Sequence, residues 1–197
     1  MKSFLFLLMF PVLCSVLLVS CNDAVKNKEI ELLKKENEAS VAIPDNNFKR
    51  ASDYYNRAHS KYDLKDYDGA IADYTKAIEI DPNVASVYYN RANSKKYLKD
   101  YDGAIADYTK AIKIDPNYAS AYNNRGYLKN DLKDYDGAIA DYTKAIELDT
   151  DYVKSYYNRA NSKYDLKDYD GAIADYTKAI ELDPNDASVY YNRANSK

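Results

Sequence analysis

The residues of this sequence that could do chemistry recur at a fixed spacing of 34. An arginine precedes an aspartate by 16 positions in four successive copies of one segment. The arginines are Arg57, Arg91, Arg125 and Arg159, with a fifth at Arg193, and the aspartates are Asp73, Asp107, Asp141 and Asp175. An arginine row could bind an anionic ligand. A half-buried guanidinium needs a carboxylate partner, however, so we favour an ion pair within each copy.

Catalytic and metal-binding chemistry has little support in the rest of the sequence. His59 is the only histidine, so a two-histidine metal site cannot form, and we predict no Ser–His triad. The segment DYDG at 66–69 is similar to part of a calcium loop but lacks the glutamate at the twelfth place. No glycine-rich phosphate loop occurs, and we predict no enzyme and no cofactor.

Overall charge argues against a nucleic-acid partner. The 197 residues carry 28 Lys and Arg against 31 Asp and Glu, a formal net charge of −3. A nucleic-acid-binding protein normally shows a basic stripe, which this balance does not supply.

Two helical patterns must position the recurring residues. The segment LKDYDGAIADYTKAI begins unchanged at Leu64, Leu98, Leu132 and Leu166. Its apolar residues at 70, 71, 74, 77 and 78 form one stripe of a helix. Tyr54, Ala58 and Tyr62 form a second stripe upstream of it. Each copy therefore predicts a helical hairpin, in which the arginine faces the aspartate across the helix pair.

The ends of the second helix are also marked in the sequence. Asp66 or Asp68 can cap its beginning, and DPN at 81–83 ends it because proline cannot extend a helix. Thr150 replaces this proline in the third copy, so we expect a looser turn there.

These hairpins resemble tetratricopeptide repeats, whose pattern is W-x2-L-G-x2-Y…A-x3-F…P over 34 residues. With Ala51 as position 1, Tyr54, Ala58, Ala70, Tyr74 and Pro82 occupy the Trp, Gly, Ala, Phe and Pro places. The copies span 51–84, 85–118, 119–152 and 153–186, with a partial copy at 187–197. The resemblance implies an all-α, right-handed superhelix (an α-solenoid) of four full hairpins plus a half repeat. We expect the partial copy to form a lone helix that caps the fourth repeat.

The resemblance also places positions 2, 5, 6, 9, 12 and 13 of each repeat on a concave face. Position 6 is Asn56, Asn90, Asn124, Asn158 and Asn192. Position 5 is Tyr55, Tyr89, Asn123 and Tyr157. Position 9 is His59, Asn93, Tyr127 and Asn161, and position 12 is Tyr62, Lys96, Asn130 and Tyr164.

Such a face suits an extended peptide, because a side-chain amide can both donate to and accept from a peptide group. Tyrosines beside the asparagines add flat amphipathic contacts. The alternative is that both rows are ordinary solvated surface. Family members that clamp C-terminal carboxylates use Lys and Arg here. Lys96 is the only Lys or Arg at positions 5, 6, 9 and 12, which argues against that ligand.

The N-terminal segment predicts where in the cell the protein is located. Lys2 and the apolar run at 4–19 form a signal peptide too short to span a membrane, over 1–20. Leu18-Val19-Ser20-Cys21 resembles the lipobox of bacterial lipoproteins, which implies diacylglycerol attachment at Cys21. An ordinary secretory signal and an uncleaved anchor are the alternatives. Residues 21–50 are strongly charged and read as a tether rather than a coiled coil.

Three classes of function follow from these predictions. The first is a membrane-tethered adaptor in the bacterial cell envelope that binds extended segments of other envelope proteins. The second is a self-associating scaffold. The third is an accessory lipoprotein for pilus, outer-membrane protein or peptidoglycan assembly.

Overall fold

The computed structural model describes residues 50–196, together with Glu31 and Lys35. The predicted signal peptide, the lipidation site Cys21 and nearly all of the tether lie outside the described residues.

The described part of the chain is entirely helical. Its helices are α1 (Ala51–Asp63), α2 (Tyr67–Ile80), α3 (Ala85–Tyr97), α4 (Tyr101–Ile114), α5 (Ala119–Asp131), α6 (Tyr135–Leu148), α7 (Val153–Asp165), α8 (Tyr169–Leu182) and α9 (Ala187–Asn195). Odd-numbered helices are the first helices of each repeat, and even-numbered helices are the second. This arrangement confirms the predicted all-α superhelix.

Each second helix begins at the same aspartate cap. In the first repeat, Asp66 Oδ1 accepts a hydrogen bond from the backbone N–H of Gly69 at 3.0 Å, so Asp66 rather than Asp68 is the cap. Asp100, Asp134 and Asp168 repeat this bond at 3.0 Å. A side-chain acceptor at this place satisfies a backbone donor that has no partner inside the helix.

The cap explains the glycine in DYDG. A Cβ added to Gly69 would lie 2.1 Å from Asp66 Oδ2, which is closer than any real contact. The same approach recurs at 2.2 Å between Gly103 and Asp100. The glycine therefore makes room for the capping carboxylate at the start of each second helix.

The turn after each second helix is held by its aspartate rather than by its proline. Asp81 Oδ1 accepts from the backbone N–H of Asn83 at 3.1 Å. In the third repeat, Asp149 Oδ1 accepts from Asp151 N–H at 3.1 Å, although Thr150 replaces proline there. The expectation of a looser third turn is thus wrong, because the Asp side chain makes the same local bond in both sequences.

The core consists of small residues and one large ring from each second helix. Tyr74, Tyr108, Tyr142 and Tyr176 are at most 2% exposed. Alanines on both helices, such as Ala58 and Ala70, are 0% exposed and let the helix backbones approach closely. Each ring thereby fills the space inside its own repeat.

The partial fifth copy forms the predicted lone helix, α9. Val189 is 1% exposed and belongs to a buried cluster with Ala160, Ala172, Tyr176 and Ala179. The helix therefore covers apolar surface of the fourth repeat.

We expect Gly103→Ala to lower the free energy of unfolding by about 1 kcal/mol, because the new methyl group displaces the Asp100 cap. Asp100→Ala should cost a similar amount, and the double variant should cost little more than either single change. Chemical denaturation of the four proteins measures this. Strictly additive losses would show that the cap and the glycine act independently.

Candidate functional site

The arginine row lies against the aspartate row, as the sequence pairs them. Arg57 Nε is 2.7 Å from Asp73 Oδ2, and the corresponding distance is 2.8 Å in the next three repeats. A second bond joins Nη2 to Oδ1 at 2.5–2.7 Å. The aspartate side chains are only 4–7% exposed. These are bidentate, buried pairs, which fix geometry as well as charge.

A lysine completes each pair. Lys61, Lys95, Lys129 and Lys163 each place Nζ 2.8–2.9 Å from Oδ2 of the same aspartate. Sequence analysis missed this role. The signal was present, since each lysine follows its arginine by four residues and so lies on the same face of the first helix.

The arginines also join neighbouring repeats. Arg91 Nη1 donates to Thr75 Oγ1 of the preceding repeat at 3.0 Å. Arg125 and Arg159 make the same bond at 3.0 Å, and Arg193 makes it at 3.3 Å. With their carboxylate and hydroxyl bonds made, the guanidinium groups of Arg91, Arg125 and Arg159 are engaged within the solenoid.

Burial and the ion pair have opposite effects on the pKa of Asp73. Burial raises the pKa of this carboxyl, but hydrogen bonds from Arg57 and Lys61 outweigh it, and the net pKa lies below the ordinary value. The pair therefore stabilises the fold above the ordinary aspartate pKa of about 3.9. That contribution is lost as the pH falls through the lower folded-state pKa.

The asparagine row is bonded to the tyrosine row of the preceding repeat. Asn90 Nδ2 donates to Tyr55 Oη at 3.0 Å, and Asn124 Nδ2 donates to Tyr89 Oη at 3.1 Å. Asn192 and Tyr157 repeat this bond at 3.0 Å. Asn158 Nδ2 instead donates to Asn123 Oδ1 at 3.3 Å. Asn56 begins the row and is exposed.

Position 9 holds the buried ring of the second helix where it is asparagine. Tyr108 Oη donates to Asn93 Oδ1 at 2.6 Å, and Tyr176 Oη donates to Asn161 Oδ1 at 2.5 Å. In the third repeat this place is Tyr127, which is 45% exposed. Among the described residues, none accepts a hydrogen bond from the Tyr142 hydroxyl.

His59 and Lys96 are two further predicted contact residues of the groove. By the groove we mean the surface formed by positions 5, 6, 9, 12 and 13 of the first helices. His59 Nδ1 lies 3.2 Å from Asp63 Oδ2. Lys96 Nζ lies 5.5 Å from the Tyr97 ring centroid and 5.9 Å from that of Tyr127. The groove therefore contains rings, amide groups and a few charges of both signs.

The polar groups of the groove are mainly the asparagine amides and the tyrosine hydroxyls. At Asn90 and Asn192 one amide N–H bonds to the neighbouring repeat, which leaves the second N–H and the side-chain oxygen for a peptide. Asn124 is more fully engaged, since it donates to Tyr89 and Asn93 and accepts from Asn123. The tyrosine row, which sequence analysis assigned to ligand contact alone, also accepts these inter-repeat bonds.

Two further classes of site are not formed within residues 50–196. No cluster of three or more His, Cys, Asp or Glu side chains there could hold a metal ion. None of the helices described there has the length and apolar character that crossing a membrane requires.

We expect Asp107→Leu to be more destabilising than Arg91→Leu combined with Asp107→Leu, because the single change leaves Arg91 and Lys95 without their carboxylate. The coupling energy should be on the order of 1–3 kcal/mol. A double-mutant cycle by urea denaturation measures it. A coupling of zero would return the arginines to the candidate ligand-binding residues.

Solved structures with similar folds include "Crystal structure of MamA protein", at 25% identity and a TM-score of 0.71, over 74% of this chain and 80% of that one. "First TPR of Spaghetti (RPAP3) bound to HSP90 peptide SRMEEVD" matches at 28% identity and a TM-score of 0.56, over 57% and 89%. "Crystal structure of YrrB: a TPR protein with an unusual peptide-binding site" shares the fold at 22% identity and a TM-score of 0.69, over 77% and 78%.

A search of curated proteins finds no match to this chain. The model of the tetratricopeptide repeat family matches residues 51–84, 85–118, 119–152 and 153–186. With four consecutive repeats in the family's spacing and the helical hairpins that they form, the chain belongs to the tetratricopeptide repeat family.

Proposed function

We propose that this protein is a non-catalytic adaptor that binds extended segments of other proteins along its groove. The tetratricopeptide repeat fold is typically an interaction scaffold without catalytic activity. The observation that carries the proposal is the asparagine row, which presents one amide per repeat at a constant position. The similar first repeat domain of Spaghetti is bound to a peptide in its solved structure, which supports a peptide ligand for this chain as well.

The hydrogen bonds of the row set the affinity that we expect. Since part of each amide bonds to neighbouring side chains, we count about one hydrogen bond to a peptide per asparagine. A net value of about 1 kcal/mol per bond gives roughly 4 kcal/mol over four repeats, before tyrosine contacts add and ordering of the peptide subtracts. The row alone therefore gives a Kd of about 1 mM, and tyrosine contacts should bring binding to between about millimolar and micromolar, as suits an adaptor that releases its clients.

The sequence preference of the groove should come from the positions that differ between repeats. Positions 9 and 12 change from one first helix to the next, with His59, Tyr127 and Lys96 among them. Main-chain contacts along the row are common to all peptides and give no selectivity. Selectivity should therefore be loose.

The test separates the binding role of the asparagines from their role in stability. Peptides enriched from a displayed random-sequence pool on the wild-type protein are resynthesised and measured by fluorescence anisotropy. We expect Asn90→Ala with Asn124→Ala to weaken their binding at least about tenfold, since the middle of the row is lost.

The matched control is Tyr55→Phe with Tyr89→Phe. It removes the bonds that Asn90 and Asn124 donate to Tyr55 and Tyr89, at a cost of about 1 kcal/mol per bond, while leaving both amides in place. The asparagine variant loses in addition the bond from Asn124 Nδ2 to Asn93 Oδ1. Binding by this control should be retained. If both variants bind alike, the asparagines serve stability alone and the groove proposal is wrong.

Measurements on the wild-type protein also distinguish the adaptor from a self-associating scaffold. If no peptide is enriched on the wild type and its mass in light scattering rises with concentration, the scaffold alternative replaces the adaptor.

We further propose that the adaptor is a lipoprotein of the bacterial cell envelope, anchored through Cys21. The support is the sequence pattern Leu18-Val19-Ser20-Cys21 at the end of an apolar run. The charged segment at 21–50 would then hold the repeats away from the membrane, where they could reach other envelope proteins. Either an assembly accessory or a general adaptor fits this placement.

Labelled palmitate should enter the wild-type protein expressed with its N-terminus, and Cys21→Ser should abolish both labelling and membrane retention. A single acyl chain anchors only weakly, whereas the chains of a bacterial lipoprotein together hold it stably. Cys14→Ser is the control, because Cys14 lies inside the segment that would be removed. A Cys21→Ser protein that stays firmly membrane-bound would point to an uncleaved helix.

A further inference from the structure

The groove carries carboxylates that the ion pairs of the core do not use. Position 13 is Asp63 in α1, Asp131 in α5 and Asp165 in α7. Each influences the buried tyrosine of its own repeat: burial raises the pKa of Tyr142, and the negative charge of Asp131 adds to that rise. The pKa of Tyr176 is raised first by burial, with Asp165 among the smaller contributions. All three carboxylates are exposed and end their first helices.

The aspartates of the core and those at position 13 differ in whether a cationic side chain pairs with them. Each aspartate of the core is held by an arginine and a lysine. Among the described residues, Asp131 and Asp165 form no ion pair. Carboxylates without a partner in a groove attract cations.

One cation of the chain itself already occupies this kind of position. Lys96 extends from α3 toward α5, where its Nζ lies 5.9 Å from the Tyr127 ring centroid. Burial raises the pKa of Asp131, and the positive charge of Lys96 opposes that rise in the pKa. The Lys96 ammonium of the second repeat thus lies near the Tyr127 ring of the third repeat, and its charge acts on the position-13 carboxylate Asp131.

The fourth repeat also presents a position-13 carboxylate and a tyrosine ring, and the place that corresponds to Lys96, position 12 of the preceding repeat, is Asn130. A cleft of about 260 Å³ between α7 and α9 is lined by Asn161, Tyr164, Asp165, Tyr176, Asn192 and Asn195. The lining has one carboxylate, an exposed tyrosine ring and amide oxygens. Small-molecule pockets usually measure about 300–1,000 Å³, so this cleft suits a single side chain better than a whole metabolite.

We propose that the cleft at Asp165 binds the ammonium or guanidinium group of a lysine or arginine in a client peptide. This deepens, and rests on, the proposed binding of extended peptides in the groove. The carboxylate supplies the opposite charge, Tyr164 offers a ring face for a cation, and the amide oxygens accept its remaining N–H groups. The expected clients are basic segments, opposite in charge to the acidic HSP90 peptide bound by the Spaghetti domain.

The test uses enriched peptides from the displayed pool and the same peptides with each lysine acetylated, which removes charge and keeps length. Enrichment on the wild-type protein should favour Lys and Arg. We expect the lysine form to bind about tenfold more tightly than the acetylated form, with the difference shrinking as salt is added.

Asp165→Asn should remove most of that tenfold difference while leaving the affinity of the acetylated peptide unchanged. Glu181→Gln is the matched control, because it removes the same charge from an exposed position on α8 where Glu181 pairs with Lys178. This control should keep the preference for the lysine form. Circular dichroism shows whether each variant remains folded.

The outcomes are distinguishable. If peptides bind but the acetylated form binds as well as the lysine form, or Asp165→Asn behaves like Glu181→Gln, the cation site is wrong and the adaptor stands. If acidic peptides are the ones enriched, the cation site is likewise wrong. If no peptide is enriched at all, the proposed function fails and this inference fails with it.

Discussion

The structure depends on one buried carboxylate per repeat. Asp73 and its three counterparts lie inside the helix pair, where an uncompensated charge would be very costly. Each is compensated by an arginine and a lysine from the first helix, so the two helices can pack only in the register that brings these three groups together. The threonine bond of Arg91 to the preceding repeat extends the same constraint from one hairpin to the next. Pairing within repeats and stacking between them are thus set by one network.

The geometry of the groove depends on this network of arginine, lysine, aspartate and threonine side chains. Because each first helix is fixed against its second helix and against the preceding repeat, the position-6 asparagines fall into one row and most of them reach the tyrosine of the repeat before. These bonds order the side chains that a peptide would meet, which lowers the ordering cost of binding. They also make stability and binding share the same residues, so variants at the asparagines change both.

The third repeat differs from the others at positions 5 and 9 of its first helix. Asn123 replaces the tyrosine of position 5 and is buried, where it accepts from Ser155 Oγ at 3.1 Å. Tyr127 replaces the asparagine that would bond to the ring hydroxyl of the second helix. The groove therefore changes character at α5, from amides that bond to the core to an exposed ring beside a carboxylate and a lysine.

By itself the sequence determined the helices, their approximate ends and the pairing of arginine with aspartate, because all of these follow from spacing within one short hairpin. It left the cap of the second helix open between Asp66 and Asp68. Asp66, Gly69 and Asp81 act on neighbours within three residues, and Arg57 meets Asp73 across a single turn. Only the tertiary structure decided that Lys61 joins this pair, that the amide of Asn90 is taken by Tyr55, and that Asp165 faces an open cleft. Those contacts depend on rotamers and on the rotation between successive repeats, and a periodic sequence specifies that rotation only through the packing of all its copies together.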